Sequence, residues 1–283
     1  MSSDDPRPRR PPSLLRKAGA ARRLSRGVAS EPVAGGATCR YLAVIMDGNG
    51  RWARRRHLPV AAGHRAGAKA LRRLIEHALD RGLAEITVYS FSSENWRRPR
   101  DEVDALMELF IEQIETEVPE VQGRGVRVKF VGRREGVAAD LLRRIDLAEA
   151  ANPSTPAMTM FIAFNYGARA EIVDAARALV AHARGTAATP PGAAPGPSLA
   201  ASARVEELVT EDSLAAHLYA PDMHDPQLLI RTSGEERISN FLLWQLAYTE
   251  LYFSAKLWPD FGPADLDEAL AAYATRARRF GGR

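Results

Sequence analysis

The residues best suited to chemistry sit together in the run Asp47-Gly48-Asn49-Gly50-Arg51. Two glycines let the backbone turn tightly and approach a ligand, and an asparagine between them tolerates left-handed geometry. Main-chain N–H groups in such a loop cradle an anion. Arg51 adds a planar fork that matches phosphate oxygens, and Asp47 adds a hard oxygen donor for a divalent cation sharing those oxygens. Together they describe a metal–diphosphate site. A tight turn carrying a solvated aspartate is the competing reading, and a bare D-G-N-G allows it equally. The run is neither a P-loop, since G-x-x-x-x-G-K-[ST] is absent, nor a dinucleotide-binding G-x-G-x-x-G.

The element that must position this loop comes just before it. Tyr41 to Met46 is apolar or aromatic and reads as a buried strand. Packing gives a buried strand no reason to end in a carboxylate, because desolvating an unpaired charge is costly. Further strands are expected at Glu85–Phe91, Val126–Val131, Met158–Phe164, Gln227–Ile230 and Glu250–Phe253. Helices are expected over 66–81, 101–118, 136–150, after N-Y-G-A-R to about Ala183, and over 263–280. In 101–118 the spacing of Val103, Leu106, Met107, Phe110, Ile111, Ile114 and Val118 is helical, with acids in the first turn. Alternating strands and helices predict a single α/β domain whose largely parallel sheet is flanked by helices.

In such sheets function gathers at the carboxyl ends of the strands. Four polar segments fall there. They carry Asp47, Asn49 and Arg51; Ser92, Glu94, Asn95, Trp96 and Arg98; Asn165, Tyr166 and Arg169; and Arg231, Arg237 and Ser239. Arginines gathered without matching acids repel one another unless an anion bridges them, so the rim is expected to hold two diphosphates and a metal.

Composition sets the outer limits. With 283 residues, 46% of them hydrophobic, the chain can bury a full core. Residues 1–40 hold nine Lys/Arg against three Asp/Glu; the remaining 30 Lys/Arg and 32 Asp/Glu leave residues 41–283 at −2. The basic balance therefore belongs to the tail, which argues against a nucleic-acid partner for the folded part. Residues 1–36 read as a disordered basic tail, whose alternative is a basic amphipathic contact with an anionic membrane surface. Residues 184–203 read as a low-complexity loop within the domain 37–283. A single cysteine, Cys39, rules out an intrachain disulfide and fits a cytoplasmic location. No apolar run is long enough to cross a bilayer, so a soluble protein is expected.

The motifs MDGNGRWA, GHRAGAK, YSFSSENWRRP, FNYGAR, IRTSGEERISNFLLWQLAYTELYF and LWPDF together resemble the cis-prenyltransferases, in the bacterial isoprenyl transferase manner, over about residues 40–282. The resemblance implies condensation of isopentenyl diphosphate onto an allylic diphosphate, farnesyl diphosphate above all. Each new double bond is then cis and the product is a polyprenyl diphosphate such as undecaprenyl diphosphate. It implies that Asp47 carries Mg²⁺ and assists departure of the allylic diphosphate, which Gly48, Asn49, Gly50 and Arg51 bind beside Trp52 and His64. Ser92, Glu94, Asn95, Trp96 and Arg98 would form a loop that closes over both substrates. Arg231, Arg237 and Ser239 would grip isopentenyl diphosphate, with Glu250 a second metal contact. Arg279 and Gly281, in R-x-G, would be offered to a partner's site, implying a homodimer. It also implies a hydrophobic tunnel for the growing chain, which the apolar face of 101–118, Val88 and Ser90 would suit. Periodicity alone does not separate a tunnel wall from a packed interior.

The sequence departs from the family at two positions. Val60 stands where family members usually carry arginine, and Arg54, Arg55, Arg56 or His57 is expected to supply that charge, or else the primer differs. Ala168 replaces a common glycine in N-Y-G-G-R. A short or irregular lavandulyl-type product is one alternative, and a non-catalytic partner subunit or lipid-binding module is another.

Overall fold

Period-two alternation along β1 (Tyr41–Ile45) divides the core in two. Leu42 and Val44 point into one cluster with residues of α2 (Val60–Asp80), α3 (Arg100–Gly123) and α4 (Ala139–Ala150). Ala43 and Ile45 point into a second cluster with Phe161, Tyr166, Phe241 and Leu242. A strand covered on both faces must be apolar throughout, as this one is. The computed structural model describes residues 38–183 and 209–276. The tail 1–36, the loop 184–203, Arg279 and Gly281 lie outside the described residues.

Six strands form one sheet in the order β3-β4-β2-β1-β5-β6, and every pairing is parallel. The others are β2 (Glu85–Ser92), β3 (Val126–Val131), β4 (Met158–Tyr166), β5 (Leu228–Arg231) and β6 (Glu250–Phe253). The remaining helices are α1 (Asn49–Arg55), α5 (Ala168–Ala183), α6 (Glu211–Ala215) and α7 (Pro263–Thr275). Register fixes the working edge. Ile45 pairs with both Tyr89 and Arg231, and Ser92 pairs with Tyr166, so the segments after β1, β2, β4 and β5 leave the sheet together.

Several element bounds differ from expectation. The helix predicted to end at Val118 runs on to Gly123 through Pro119, because Val121 beyond it is buried in the core. The proline forgoes its own N–H bond. The helix predicted from Ala66 begins at Val60, and α1 begins inside the glycine run itself, at Asn49. The short α6 was not predicted; Thr210 caps it, accepting a bond from the Ser213 amide at 3.1 Å.

Candidate active site

Asp47 lies two residues past β1, and its backbone is pinned by Thr232, the residue after β5. The Asp47 amide donates to Thr232 Oγ1 at 3.0 Å, and that hydroxyl lies 2.7 Å from the Asp47 carbonyl. The carboxylate faces two guanidinium groups. Arg231 Nη2 donates to Oδ2 at 2.9 Å, and Arg51 Nη2 to Oδ1 at 3.3 Å. Burial raises the Asp47 pKa, but the hydrogen bond and charge of Arg231, with the charge of Arg51, outweigh it and hold the group below its ordinary value. It is ionised at neutral pH.

Arg231 is buried, with 3% of its surface exposed. Its Nη1 donates to Ser239 Oγ at 2.7 Å and to the Arg237 carbonyl, while Nε has no partner. Arg51 also donates to the Ser233 carbonyl at 3.2 Å and to the Ser233 hydroxyl, and lies 3.5 Å from Glu235. Arg237 pairs with Glu235 as well. The expectation that only an anionic ligand could hold these arginines together is therefore corrected: Asp47 and Glu235 do so in the protein alone. Thr232, Ser233 and Glu235 had not been singled out, although their place just after a strand end was a usable signal. The segment bearing them is conformationally costly, since Ser233, Ser239, Asn240 and Leu242 all have positive φ, at 82°, 47°, 61° and 46°.

The glycine run is shaped by close packing. Gly48 has φ 110°, and a Cβ there would come within 3.1 Å of Leu257 Cα. A Cβ on Gly63 would fall 2.1 Å from the Asn49 carbonyl, and one on Gly67 would fall 2.4 Å from Asn49 Oδ1. G-H-R-A-G thus lets α2 touch α1, which brings His64 beside the loop. The Asn49 side-chain oxygen is buried without a hydrogen-bond partner. Burial and the nearby Arg98 charge push His64 below its ordinary pKa, against a smaller opposite effect of Glu102. Its imidazole is neutral at pH 7. L-W-P-D-F closes the far side: Trp258 Nε1 donates to the Gly67 carbonyl at 2.8 Å, and Trp52 Nε1 to Asp260 at 2.7 Å. Trp52, whose ring lies under the Arg56 guanidinium at 4.1 Å, props the loop from behind.

The Ser93–Arg97 segment is a turn of 3₁₀ helix. Asn95 spends its side-chain oxygen on the Ser92 amide at 2.8 Å, and Trp96 Nε1 donates to Asn165 at 2.7 Å. Glu94 accepts from Asn240 at 2.8 Å, and Arg98 pairs with Glu102 at 2.7 Å. The segment is thereby fastened to the ends of β4 and the 239–240 turn, with the Trp96 ring against Phe91 at 4.9 Å. Ala168 is fully buried, and its amide bonds to the Asn240 carbonyl at 2.9 Å, so the missing glycine leaves no gap.

Glu250 is not brought to Asp47. It pairs in register with Leu228, whereas Arg231 pairs with Phe253, so it sits at the opposite end of β6, about 10 Å along a strand at ~3.3 Å per residue. There it accepts from Arg276 at 2.7 Å. A single chain does not place both carboxylates on one ion. Among the described residues no group of three or more His, Cys, Asp or Glu gathers around a common point.

Beside the loop lies an apolar cavity of about 120 Å³, lined by Met46, Asn49 and His64 near the site and by Leu71, Phe110 and Ile162 deeper in. Phe164 forms part of the wall and stacks on Phe110 at 4.3 Å. A second cavity of about 410 Å³ shares His64, Leu106 and Leu109 with it and opens past Val60. Much of the face of 101–118 therefore borders empty space, and Val103 lies in the packed core. No described helix is long and apolar enough to cross a membrane.

Known proteins resemble this chain over most of its length. Residues 45–281 match the prenyltransferase family described as "Putative undecaprenyl diphosphate synthase". A (2E,6E)-farnesyl-diphosphate-specific ditrans,polycis-undecaprenyl-diphosphate synthase of Xanthomonas axonopodis is 46% identical over 89% of this chain and 92% of its own. An isoprenyl transferase of Thermotoga maritima is 43% identical over 86% of this chain and 96% of its own. Among solved structures, lavandulyl diphosphate synthase of Lavandula x intermedia, in complex with dimethylallyl diphosphate, aligns with a TM-score of 0.76. That match has 33% identity and covers 87% of this chain and 99% of the other. A probable undecaprenyl diphosphate synthase of Campylobacter jejuni aligns at 0.67, with 27% identity, over 87% and 100%. By sequence along most of its length, this chain belongs to the cis-prenyltransferase family of undecaprenyl diphosphate synthases and isoprenyl transferases.

Proposed function

We propose that the protein extends farnesyl diphosphate with isopentenyl diphosphate units to a long polyprenyl diphosphate, undecaprenyl diphosphate being the expected product. The observation that carries this reading is the placing of Asp47 between Arg51 and Arg231 at the head of an apolar cavity. The name of the Xanthomonas relative supports the primer and the product.

Arg51, the Gly50 backbone and neutral His64 receive the allylic diphosphate, while Arg231, Arg237 and Ser239 receive the isopentenyl diphosphate. Each incoming diphosphate takes over guanidinium contacts that Asp47 and Glu235 make within the protein, so binding exchanges one anion for another rather than exposing bare cations. As the allylic carbon–oxygen bond breaks, negative charge grows on the leaving diphosphate, where the arginines already point. Ser92–Arg98 covers the site and excludes water from the allylic cation. The growing chain moves along the wall made by Leu71, Phe110 and Ile162, gaining up to ~4 kcal/mol per five-carbon unit at ~0.8 kcal/mol per buried CH₂.

The donor set suits Mg²⁺: one ionised, partly exposed carboxylate, which substrate oxygens and water would complete to six ligands. Bound by Asp47, Mg²⁺ would supply further positive charge to the departing diphosphate. We also propose a cytoplasmic homodimer, in which Glu250 and the R-x-G residues Arg279 and Gly281 serve a second subunit's site. Peripheral membrane contact through the basic tail or the lipid product belongs to the same reading. Purified protein given farnesyl diphosphate, labelled isopentenyl diphosphate and Mg²⁺ should yield a long-chain product, and chelation should abolish the reaction. The TM-score of 0.76 to lavandulyl diphosphate synthase favours one second reading, a short irregular product. A ten-carbon product made from dimethylallyl diphosphate alone would replace the first reading with it.

A further inference from the structure

Among the described residues the ion pairs of the rim leave Arg54, beside the glycine run, without a carboxylate. Asp47 occupies Arg51 and Arg231, Glu235 occupies Arg237, Glu102 occupies Arg98, and Asp260 occupies Arg56. Arg54 has no carboxylate partner among the described residues, yet it is not remote from the site. It follows Gly50 by four residues on α1 and so shares its face. Its Nη2 lies 3.9 Å from the point a Cβ on Gly50 would occupy, and Val60 Cγ1 lies 3.8 Å from that same point. The Arg54 guanidinium and the Val60 side chain therefore both border the open side of Gly50.

We propose that Arg54 is a substrate-binding residue that contacts the allylic diphosphate at Gly50 and supplies the positive charge that Val60 does not. Arg51 and Arg231 must give up Asp47 to take a phosphate oxygen. Arg54 gives up only water, so its contact is formed without breaking an ion pair. A cation next to a backbone that no side chain shields meets the diphosphate at the loop's closest approach. Arg55, next along the helix, has no such position, and Arg56 is held by Asp260 and stacked on Trp52.

The inference rests on the reading of the site as an allylic diphosphate site, and two measurements separate its failure from that reading's. Arg54→Ala should raise KM for farnesyl diphosphate about tenfold, the scale of one charge-assisted contact near the surface. Its kcat and its KM for isopentenyl diphosphate should stay within about twofold. Val60→Arg added to Arg54→Ala should restore most of the lost affinity, because it returns a guanidinium to the same point. Arg55→Ala should behave as wild type. Calorimetric titration with inorganic diphosphate gives the same ranking without any turnover, so an inactive enzyme would still report on Arg54. The proposal is overturned if Arg54→Ala binds diphosphate within twofold of wild type, if Arg55→Ala weakens binding as much, or if Val60→Arg fails to rescue.

Discussion

Asp47→Asn separates two jobs that one carboxylate performs. The substitution keeps the side chain's shape and removes its charge, so Arg231 loses the one carboxylate partner it has among the described residues while remaining 3% exposed. Ser239 and the Arg237 carbonyl stay bonded to Nη1, and the new amide oxygen can still accept one neutral bond. Loss of a charge-assisted bond costs ~1.5–3 kcal/mol, and the retained acceptor places the expectation at the lower end, ~1.5–2 kcal/mol. For a domain of this size that lowers Tm by ~3–8 °C. Inorganic diphosphate in metal-free buffer should then act differently on the two proteins. In the wild type it competes with Asp47 for Arg51 and Arg231. In the variant Arg231 has lost its carboxylate and Arg51 keeps only Glu235, so diphosphate affinity should rise by about tenfold, or ~1.4 kcal/mol. With Mg²⁺ and both substrates, turnover should nevertheless fall by ~10²–10³, the scale of removing one key electrostatic group. Thermal scans with and without diphosphate, beside a radiolabel turnover assay, read all three quantities. Equal Tm values and equal diphosphate responses in the two proteins would refute the idea that Asp47 stands in for the substrate's charge.

Other expectations follow from the same geometry. Gly63→Ala drives a methyl to 2.1 Å from the Asn49 carbonyl, so it should lower stability by ~2–3 kcal/mol, whereas Gly50→Ala, whose nearest neighbours lie at 3.8 and 3.9 Å, should unfold with the wild type in thermal scans. Phe164→Ala removes a ring from the cavity wall where it stacks on Phe110, and mass analysis should show products shifted to longer chains along with a stability loss of ~3–5 kcal/mol. His64 should titrate by NMR with a midpoint below 6.5, because burial and Arg98 disfavour its charged form. The folded state then takes up that proton less readily than the unfolded chain. Its contribution to stability is therefore present above pH 6.5 and lost as pH falls from 6.5 towards the folded midpoint.

How much of this was legible in the sequence depends on the range over which each interaction acts. The central strand Tyr41–Ile45 was readable because burial on both faces demands an unbroken apolar run, and at the sheet's edges Val126–Val131, read from its alternation, and Glu250–Phe253 have the predicted bounds. The first turn of α2 was not, since Pro59 and Val60 carry no periodic signal of their own and the helix there is fixed by glycine contacts with Asn49. Proximity at the sheet's edge was also readable, because parallel register carries Ile45, Tyr89 and Arg231 to the same level whatever the loops do.

Charge pairing within that edge was not readable, for a different reason. Net charge counts arginines and acids without regard to direction, and it led to a rim of mutually repelling cations in need of an outside anion. Direction is set by the segment after β5, where four non-glycine residues accept positive φ so that the Ser239 hydroxyl and the Arg237 carbonyl turn towards one guanidinium. A strained segment persists only when surrounding contacts over-determine it. Here those contacts are the bonds that aim Arg231 at Asp47. On the proposed reading, the protein meets its substrates with arginines already pointed at an anion, Asp47, whose place the incoming diphosphate takes. Preorganisation of this kind lets the leaving group's charge be met without rearranging the donors, which is where most of the electrostatic contribution to such a reaction arises. The same reading lets two arginines that Asp47 satisfies be the residues proposed to meet the departing diphosphate.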